Sequence, residues 1–269
     1  MRTEVKLTVP SPNAGSKISA ARGARGSTQA VVPSGELLRY YEMMSEALGP
    51  MHWWPAQTPF EVIVGAILTQ STAWTNVERA IDNLRAAKLL TPAAMLLVPV
   101  HRLATLVRPS GYFRQKARKL KAFVEFLQDE YKGSLKRMFS TPTLDLREQL
   151  LSVHGIGPET ADSILLYAGN HPVFVVDAYT HRIFERHGIT GGKPHYENVR
   201  AMVETSFPGR PEWFNEFHAL IVNTGKNWCR KGAPRCQECP LRSLLPAGSP
   251  FSSAAGIVAG AVALSGSLA

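Results

Sequence analysis

Leu150-Leu151-Ser152-Val153-His154-Gly155-Ile156-Gly157-Pro158-Glu159-Thr160-Ala161, followed after one more helix and a short apolar run by Val175-Val176-Asp177, is the stretch around which this chain is organised. Leu150, Leu151 and Val153 close one helical pattern, and two glycines flank Ile156 in a tight turn. Pro158 suits the first turn of the next helix, where its missing N–H costs nothing. The reading is helix, hairpin, helix. Gly155 and Gly157 permit backbone conformations that a Cβ hinders, and they leave the first amides of the second helix uncovered. Those amides, backed by the positive end of the helix dipole, suit an anion such as a DNA phosphate. Taken alone, Gly-x-Gly is more often the mark of a plain helix-to-helix turn. Asp177 decides between the two readings.

Leu-x-x-Val-x-Gly-Ile-Gly-x-x-Thr-Ala followed by Val-Asp resembles the endonuclease III-like branch of the helix-hairpin-helix (HhH-GPD) DNA glycosylases, over about Leu37 to Cys239. The resemblance implies that Asp177 sits where the sugar of a flipped-out nucleotide arrives. A carboxylate suits that role. Cleaving an N-glycosidic bond builds positive charge on the deoxyribose, which a fixed negative group stabilises, or the carboxylate activates the attacking water. Asp177 also precedes the helical pattern Tyr179 to Phe184, where aspartate is a favoured N-cap; a cap would fix the carboxylate in place.

Glu159 departs from the family. Members that also cut the backbone carry a lysine two residues after the second hairpin glycine, and its amine forms a Schiff base with the sugar. A carboxylate cannot form an imine, so the expectation is base removal without efficient strand cleavage. The competing reading gives the amine's role to another lysine, for instance Lys226, which would have to come within bonding reach of the sugar.

The 269 residues carry a net charge of +9, which suits a polyanionic partner. Of that charge, +4 lies in residues 1–33, a Ser/Ala/Gly/Arg-rich stretch expected to be a disordered basic arm. An acid-poor transit peptide is the alternative reading. The longest apolar run, Ala254 to Leu264, is too short for a membrane span of about 20 residues. No secretory signal is expected. The three cysteines crowd together near the end of the chain, which argues for a reducing interior, cytoplasm or nucleoid, over a disulfide framework.

Within the chain, caps alternate with apolar faces. Helices are expected from Ser34, over Phe60 to Leu68 after Thr58-Pro59, over Asn76 to Leu84, Thr91 to Leu97, Val100 to Val107, Thr143 to Val153, Asp162 to Ala168, Tyr196 to Phe207 and Pro211 to Lys226. Strand-like alternation is confined to Val173 to Val176. The class is all-α. In Ser110 to Lys121, which resembles the family's Gly-Tyr and Lys-Ala turn and helix, the cations are assigned to the solvated face of an amphipathic helix. The eight histidines show no pair at metal-ligand spacing and are read as structural or surface residues.

Trp53-Trp54-Pro55 resembles the subgroup of endonuclease III-like enzymes that excise 3-methyladenine and related alkylated bases. That subgroup also has an aromatic residue four places after a glutamine, here Trp74 after Gln70. Electron-rich rings suit a cationic alkylpurine, at about 0.5–2 kcal/mol each through stacking and cation–π attraction. Core packing is the alternative use of these rings, on equal terms. Gln70 matches the family's residue that fills the gap left by an extruded base and hydrogen-bonds the orphaned partner.

Cys229-x6-Cys236-x2-Cys239 matches the first three ligands of the [4Fe-4S] loop of endonuclease III relatives, with Arg230, Lys231 and Arg235 as a basic loop toward DNA. The fourth ligand should fall six residues after Cys239, and that position is Leu245. The expectation is a cluster held through three thiolates, with one labile, exogenously ligated iron; a degenerate, empty site is the alternative, and a zinc site would lack a nearby fourth ligand of the usual kind.

The expected organisation is an arm (1–33), a two-lobed all-α glycosylase domain (34–228) with its hairpin at 150–167 and a cleft between lobes, a cysteine loop (229–245) and a disordered tail (246–269). His154, Gly155, Ile156 and Gly157 would face double-stranded DNA together with Gln70 and the cysteine loop. The expected activity is hydrolysis of a damaged base, an alkylated purine, from duplex DNA by a monofunctional glycosylase that works as a monomer. The alternatives are a bifunctional endonuclease III-type enzyme for oxidised pyrimidines and a non-catalytic DNA-binding module.

Overall fold

The structure, a computed structural model, describes residues 34–191, 194–247 and 249. The expected arm at 1–33 and the run Ala254 to Leu264 lie outside the described residues, as does most of the expected tail.

Twelve α-helices carry the described chain: α1 (Ser34–Leu48), α2 (Pro59–Leu68), α3 (Trp74–Ala86), α4 (Pro92–Leu97), α5 (Val100–Leu106), α6 (Phe113–Tyr131), α7 (Leu135–Met138), α8 (Thr143–Ser152), α9 (Pro158–Ser163), α10 (Ala178–Arg186), α11 (Tyr196–Ser206) and α12 (Pro211–Asn227). No strand occurs among the described residues. The apolar run Val173 to Val176 is extended and buried, but it pairs with side chains. Phe174 N donates to Glu204 Oε1 at 2.9 Å and Val176 N to the Tyr196 hydroxyl at 3.3 Å.

Local chemistry sets the helix starts. Thr58 and Thr91 accept backbone N–H bonds from Glu61 and Ala94, and each precedes a proline at the first helical position. Helix α2 is buried from Phe60 through Leu68, which no amphipathic surface helix could be. Around it, α6 buries Ala117, Leu120, Phe123, Val124 and Leu127, and α12 buries Phe214, Phe217, Leu220 and Ile221. Each such Leu, Val, Ile or Phe side chain contributes about 1.5–3 kcal/mol on leaving water.

The helices pack in two groups that share one core. In one, α1 lies on α11 and α12, and α10 lies on α12; in the other, α6 packs against α2, α4, α5 and α7. After α9 the hairpin's second helix widens into one π-helical turn, Ile164–Ala168, and this turn touches both α2 and α12. Arg147 of α8 binds Asp162 of α9 at 2.7 Å and Glu197 of α11 at 2.6 Å, and the Tyr196 hydroxyl donates to Asp162 at 2.8 Å. These bonds tie the hairpin to the rest of the fold.

One expectation for α6 is overturned. Lys116 is buried, with its ammonium donating to Leu68 O at 2.8 Å and Ser110 O at 2.6 Å. Helix ends leave carbonyls without partners and carry the negative end of the dipole, so α2 supplies what a buried cation needs. Burial, with Lys119 nearby, lowers the Lys116 pKa to about 8. Lys121 caps Leu96 O of α4 in the same way. Arg114 and Arg118 alone follow the expected solvated face.

Candidate active site

The hairpin turns on Gly155, whose φ is +83°, a region that a side chain disfavours. Gly157 is different. Its backbone is extended (φ −97°, ψ 179°), with open space where a Cβ would stand, so what glycine provides there is an uncovered approach to the start of α9. Ile156, expected to face DNA, is instead buried in the core, and its amide donates to Val153 O at 3.0 Å. His154 is exposed beside it.

Gln70, just past α2, is held against the hairpin. Its Nε2 donates to Gly155 O at 3.1 Å and to Thr160 Oγ1 at 2.9 Å, and Lys119 Nζ donates to its Oε1.

Asp177 caps α10. Its Oδ1 accepts from Thr180 N at 2.7 Å and from Thr180 Oγ1 at 3.0 Å. Its Oδ2 stands 3.6 Å from His218 Nε2. The residue is only 8% exposed. Burial pushes its pKa up, but the His218 imidazole and the Thr180 donors outweigh that cost and hold it below the usual carboxylate value. A buried carboxylate kept charged is able to stabilise positive charge or to draw a proton from water.

Glu159, at the entrance of α9, faces the same centre. Its surface reaches solvent, yet the surrounding protein desolvates the carboxyl, and the Asp177 charge adds to this while His218 opposes it. Its pKa is raised to about 7. The two carboxyls are therefore pushed apart, Asp177 ionised and Glu159 about half protonated near neutrality. Lys226 is exposed in the last turn of α12.

The aromatic residues come together. Trp54 packs edge-on against Trp74 with centroids 5.2 Å apart, and lies 5.5 Å from Trp53 and 5.1 Å from Tyr167. Gly65 of α2 admits this wall, since a Cβ there would stand 3.3 Å from Trp54 Cζ2. The Trp74 indole N–H donates to Glu78 at 2.8 Å, while Pro55 is exposed. The Tyr167 hydroxyl lies 2.5 Å from His218 Nδ1, with the Trp53 N–H near the same hydroxyl but outside hydrogen-bond geometry. Trp74, Trp54, Tyr167, His218 and Asp177 thus form one contiguous chain.

Tyr167, His218, Lys119 and Thr160 were not singled out in the sequence. The signal for His218 was a polar residue at a core-facing position of α12, between Phe214 and Ile221; reading it as structural overlooked Asp177.

Cys229 is buried and Cys236 and Cys239 are half-buried, and all three line one small pocket with Leu245 and His187. The loop is gripped by α10. Arg182 Nε donates to Cys229 O at 2.6 Å, and Arg186 donates to Cys229 Sγ at 3.2 Å, Arg230 O at 2.8 Å and Lys231 O at 3.1 Å. Among the described residues no three Cys, His, Asp or Glu side chains stand close enough to hold a metal ion. With an aliphatic Leu245 lining the pocket where a fourth thiolate would be needed, the donor set does not fit a four-thiolate cluster. Arg230, Lys231 and Arg235 are exposed, and Arg235 is paired with Glu238.

Among the described residues no helix is long and apolar enough to cross a membrane. Residues 64–208 match the family model described as HhH-GPD superfamily base excision DNA repair protein. The chain is 45% identical over 208 residues to a protein of Methanocaldococcus jannaschii named, on provisional grounds, a DNA repair glycosylase, covering 77% of this chain and 94% of that one. It is 28% identical to endonuclease III of Bacillus subtilis, over 69% of this chain and 80% of that one. Among solved structures it resembles the H. pylori 3-methyladenine DNA glycosylase MagIII bound to 1,N6-ethenoadenine, with a TM-score of 0.64 and 28% identity over 72% of this chain and 98% of that one. It also shares the fold of endonuclease III in a non-covalent DNA complex, with a TM-score of 0.69 and 23% identity over 80% of this chain and 95% of that one.

Proposed function

The chain belongs to the HhH-GPD superfamily of base excision DNA repair proteins, a family of DNA glycosylases, and from that premise we propose that it hydrolyses alkylated purines from duplex DNA without efficient strand cleavage. The observation that carries the reading is the contiguous run from the aromatic wall of Trp53, Trp54 and Trp74 to a buried, ionised Asp177, with Glu159 where a Schiff-base lysine would stand. The MagIII likeness supports the choice of base, because that neighbour is itself a 3-methyladenine glycosylase.

A purine alkylated at N3 or N7 is cationic, and that charge weakens its glycosidic bond. Ring faces attract it at about 0.5–2 kcal/mol each, and a damaged base costs less to unstack than a paired one. As the bond to the base lengthens, positive charge collects on the sugar, and Asp177 stabilises it or activates the water that replaces the base. The raised pKa of Glu159 reduces the second negative charge beside Asp177 as pH falls through about 7. Glu159 offers no amine, so the abasic site leaves intact. Gln70 takes the place of the extruded nucleotide, Gly157 and the start of α9 receive a phosphate, and Arg230 and Lys231 meet the backbone further along. One copy of the chain suffices for this chemistry.

The test uses the full chain on duplexes carrying one alkylated purine, oxidised pyrimidine or mismatched uracil, with products resolved before and after hot alkali. Strand breaks on the alkylated duplex only after alkali, lost in Asp177→Asn, are expected. Breaks without alkali on oxidised pyrimidine would instead favour the bifunctional enzyme, and no product on any lesion would leave a DNA-binding module.

A further inference from the structure

His218 is an imidazole buried between two partners that never meet otherwise. Its Nδ1 faces the Tyr167 hydroxyl at 2.5 Å, and its Nε2 is buried without a hydrogen-bond partner, 3.6 Å from Asp177 Oδ2 and just beyond hydrogen-bond distance of it. Burial keeps the Tyr167 hydroxyl protonated, and the bond it shares with Nδ1 runs in either direction according to the ring's tautomer. With the hydroxyl as donor, the neutral ring carries its proton on Nε2, on the side of the carboxylate.

We propose that His218 is a positioning residue of the reaction: Tyr167 fixes its tautomer, and its Nε2–H keeps Asp177 charged and aimed. The proposal rests on the reading of Asp177 as the reacting carboxylate. The arrangement needs such a group. Asp177 Oδ1 is committed to Thr180 on the capping side, so Oδ2 is the oxygen free to turn, and a buried carboxylate without a donor on that oxygen reverts to its acid form. The titratable groups that face the pair come from each packed element: Tyr167 on the π turn, Glu159 on α9 and Asp177 at the head of α10, with His218 itself on α12. Glu159 is nearest in effect, and its proton is the one that must be separated experimentally from His218's influence.

The experiment compares the full chain with His218→Phe, His218→Gln and Tyr167→Phe, all repeated in a Glu159→Gln background. Single-turnover base release from an alkylated duplex is followed over about pH 3 to 9, a range that brackets the lowered Asp177 titration, alongside NMR titration of the 13C-labelled Asp177 carboxyl over the same range. Asp177 must be ionised to act, and losing the donor raises its pKa. The acid limb of the rate profile, and the Asp177 titration with it, should therefore move upward by about one unit or more in His218→Phe. The shift should be smaller in His218→Gln, whose amide N–H replaces Nε2–H, and should persist without Glu159, with affinity for the duplex unchanged within about threefold. A rate lost by the same factor at every pH, or an Asp177 titration that does not move, would overturn the proposal. Should His218→Phe fail to fold, the Gln and Tyr167→Phe profiles carry the same decision. Should the wild type release no base, the functional reading fails while the NMR titration still decides the pairing.

Discussion

Lys119 lies lengthwise across Gly155: a Cβ built on that glycine would stand 2.4 Å from Lys119 Cγ and 2.6 Å from its Cδ and Cε. Because the same lysine ends on Gln70, the hairpin, α6 and the glutamine after α2 are one assembly. Gly155→Ala must hold a side chain at φ +83° and displace the Lys119 stem. A loss of about 1–2 kcal/mol is expected from the backbone alone, read by thermal unfolding. Gly157→Ala, in extended backbone with open space, should change stability by no more than about 0.5 kcal/mol, yet weaken duplex binding by crowding the approach to α9.

Glu159 links stability to pH. Its folded pKa is raised, so the native state holds the proton more tightly than the unfolded chain. The stability it contributes is complete below its ordinary value of 4.5 and is lost as pH rises to about 7. Glu159→Gln removes that dependence. The variant should therefore gain on wild type between those two values and hold a constant advantage above them, as measured by denaturant midpoints at successive pH.

Glu159→Lys restores an amine at the position that faces Asp177 and His218. Borohydride should trap a protein–DNA adduct on an abasic duplex with this variant and not with wild type. A lysine that gave no adduct would mean the position does not reach the sugar.

Trp54 is central to the aromatic wall, touching Trp53, Trp74 and Tyr167. Trp54→Ala should cost about 1.5–3 kcal/mol in stability. If the ring also serves a cationic base, affinity for the alkylated duplex should fall about two- to thirty-fold, the range of a cation–π contact, with undamaged duplex unaffected. Trp54→Phe should keep most of both.

Lys116→Met exchanges a buried ammonium for an apolar chain of similar length and leaves Leu68 O and Ser110 O without that donor. A loss of about 2–4 kcal/mol is expected from two deprived carbonyls, measured by urea unfolding. Gln70 follows α2 by two residues, so duplex binding should weaken as well.

Much of this was legible in the sequence because local chemistry determined it. Thr58-Pro59, Thr91-Pro92 and Pro158 start helices where caps and prolines favour them, and Asp177 caps α10 as its position implied. What escaped depends on neighbours far along the chain. Lys116 reads as a surface cation until α2 offers its carbonyls, and Ile156 reads as a turn residue until the core takes it in. His218 is 41 residues beyond Asp177 in sequence, so no spacing could pair them. Only the packing of α10 on α12 does.

Helix α10 has a different kind of task at each end. Asp177 is fastened to its first turn, and Arg182 and Arg186 clasp the cysteine loop from its later turns. A nine-residue helix spans about 13 Å and does not stretch, so it acts as a strut between the two places. One unbroken run of contacts therefore leads from the Cys229 carbonyl, through Arg182 and the body of the helix, to the Asp177 carboxylate at its head. The loop and the carboxylate take their positions from the same short rod.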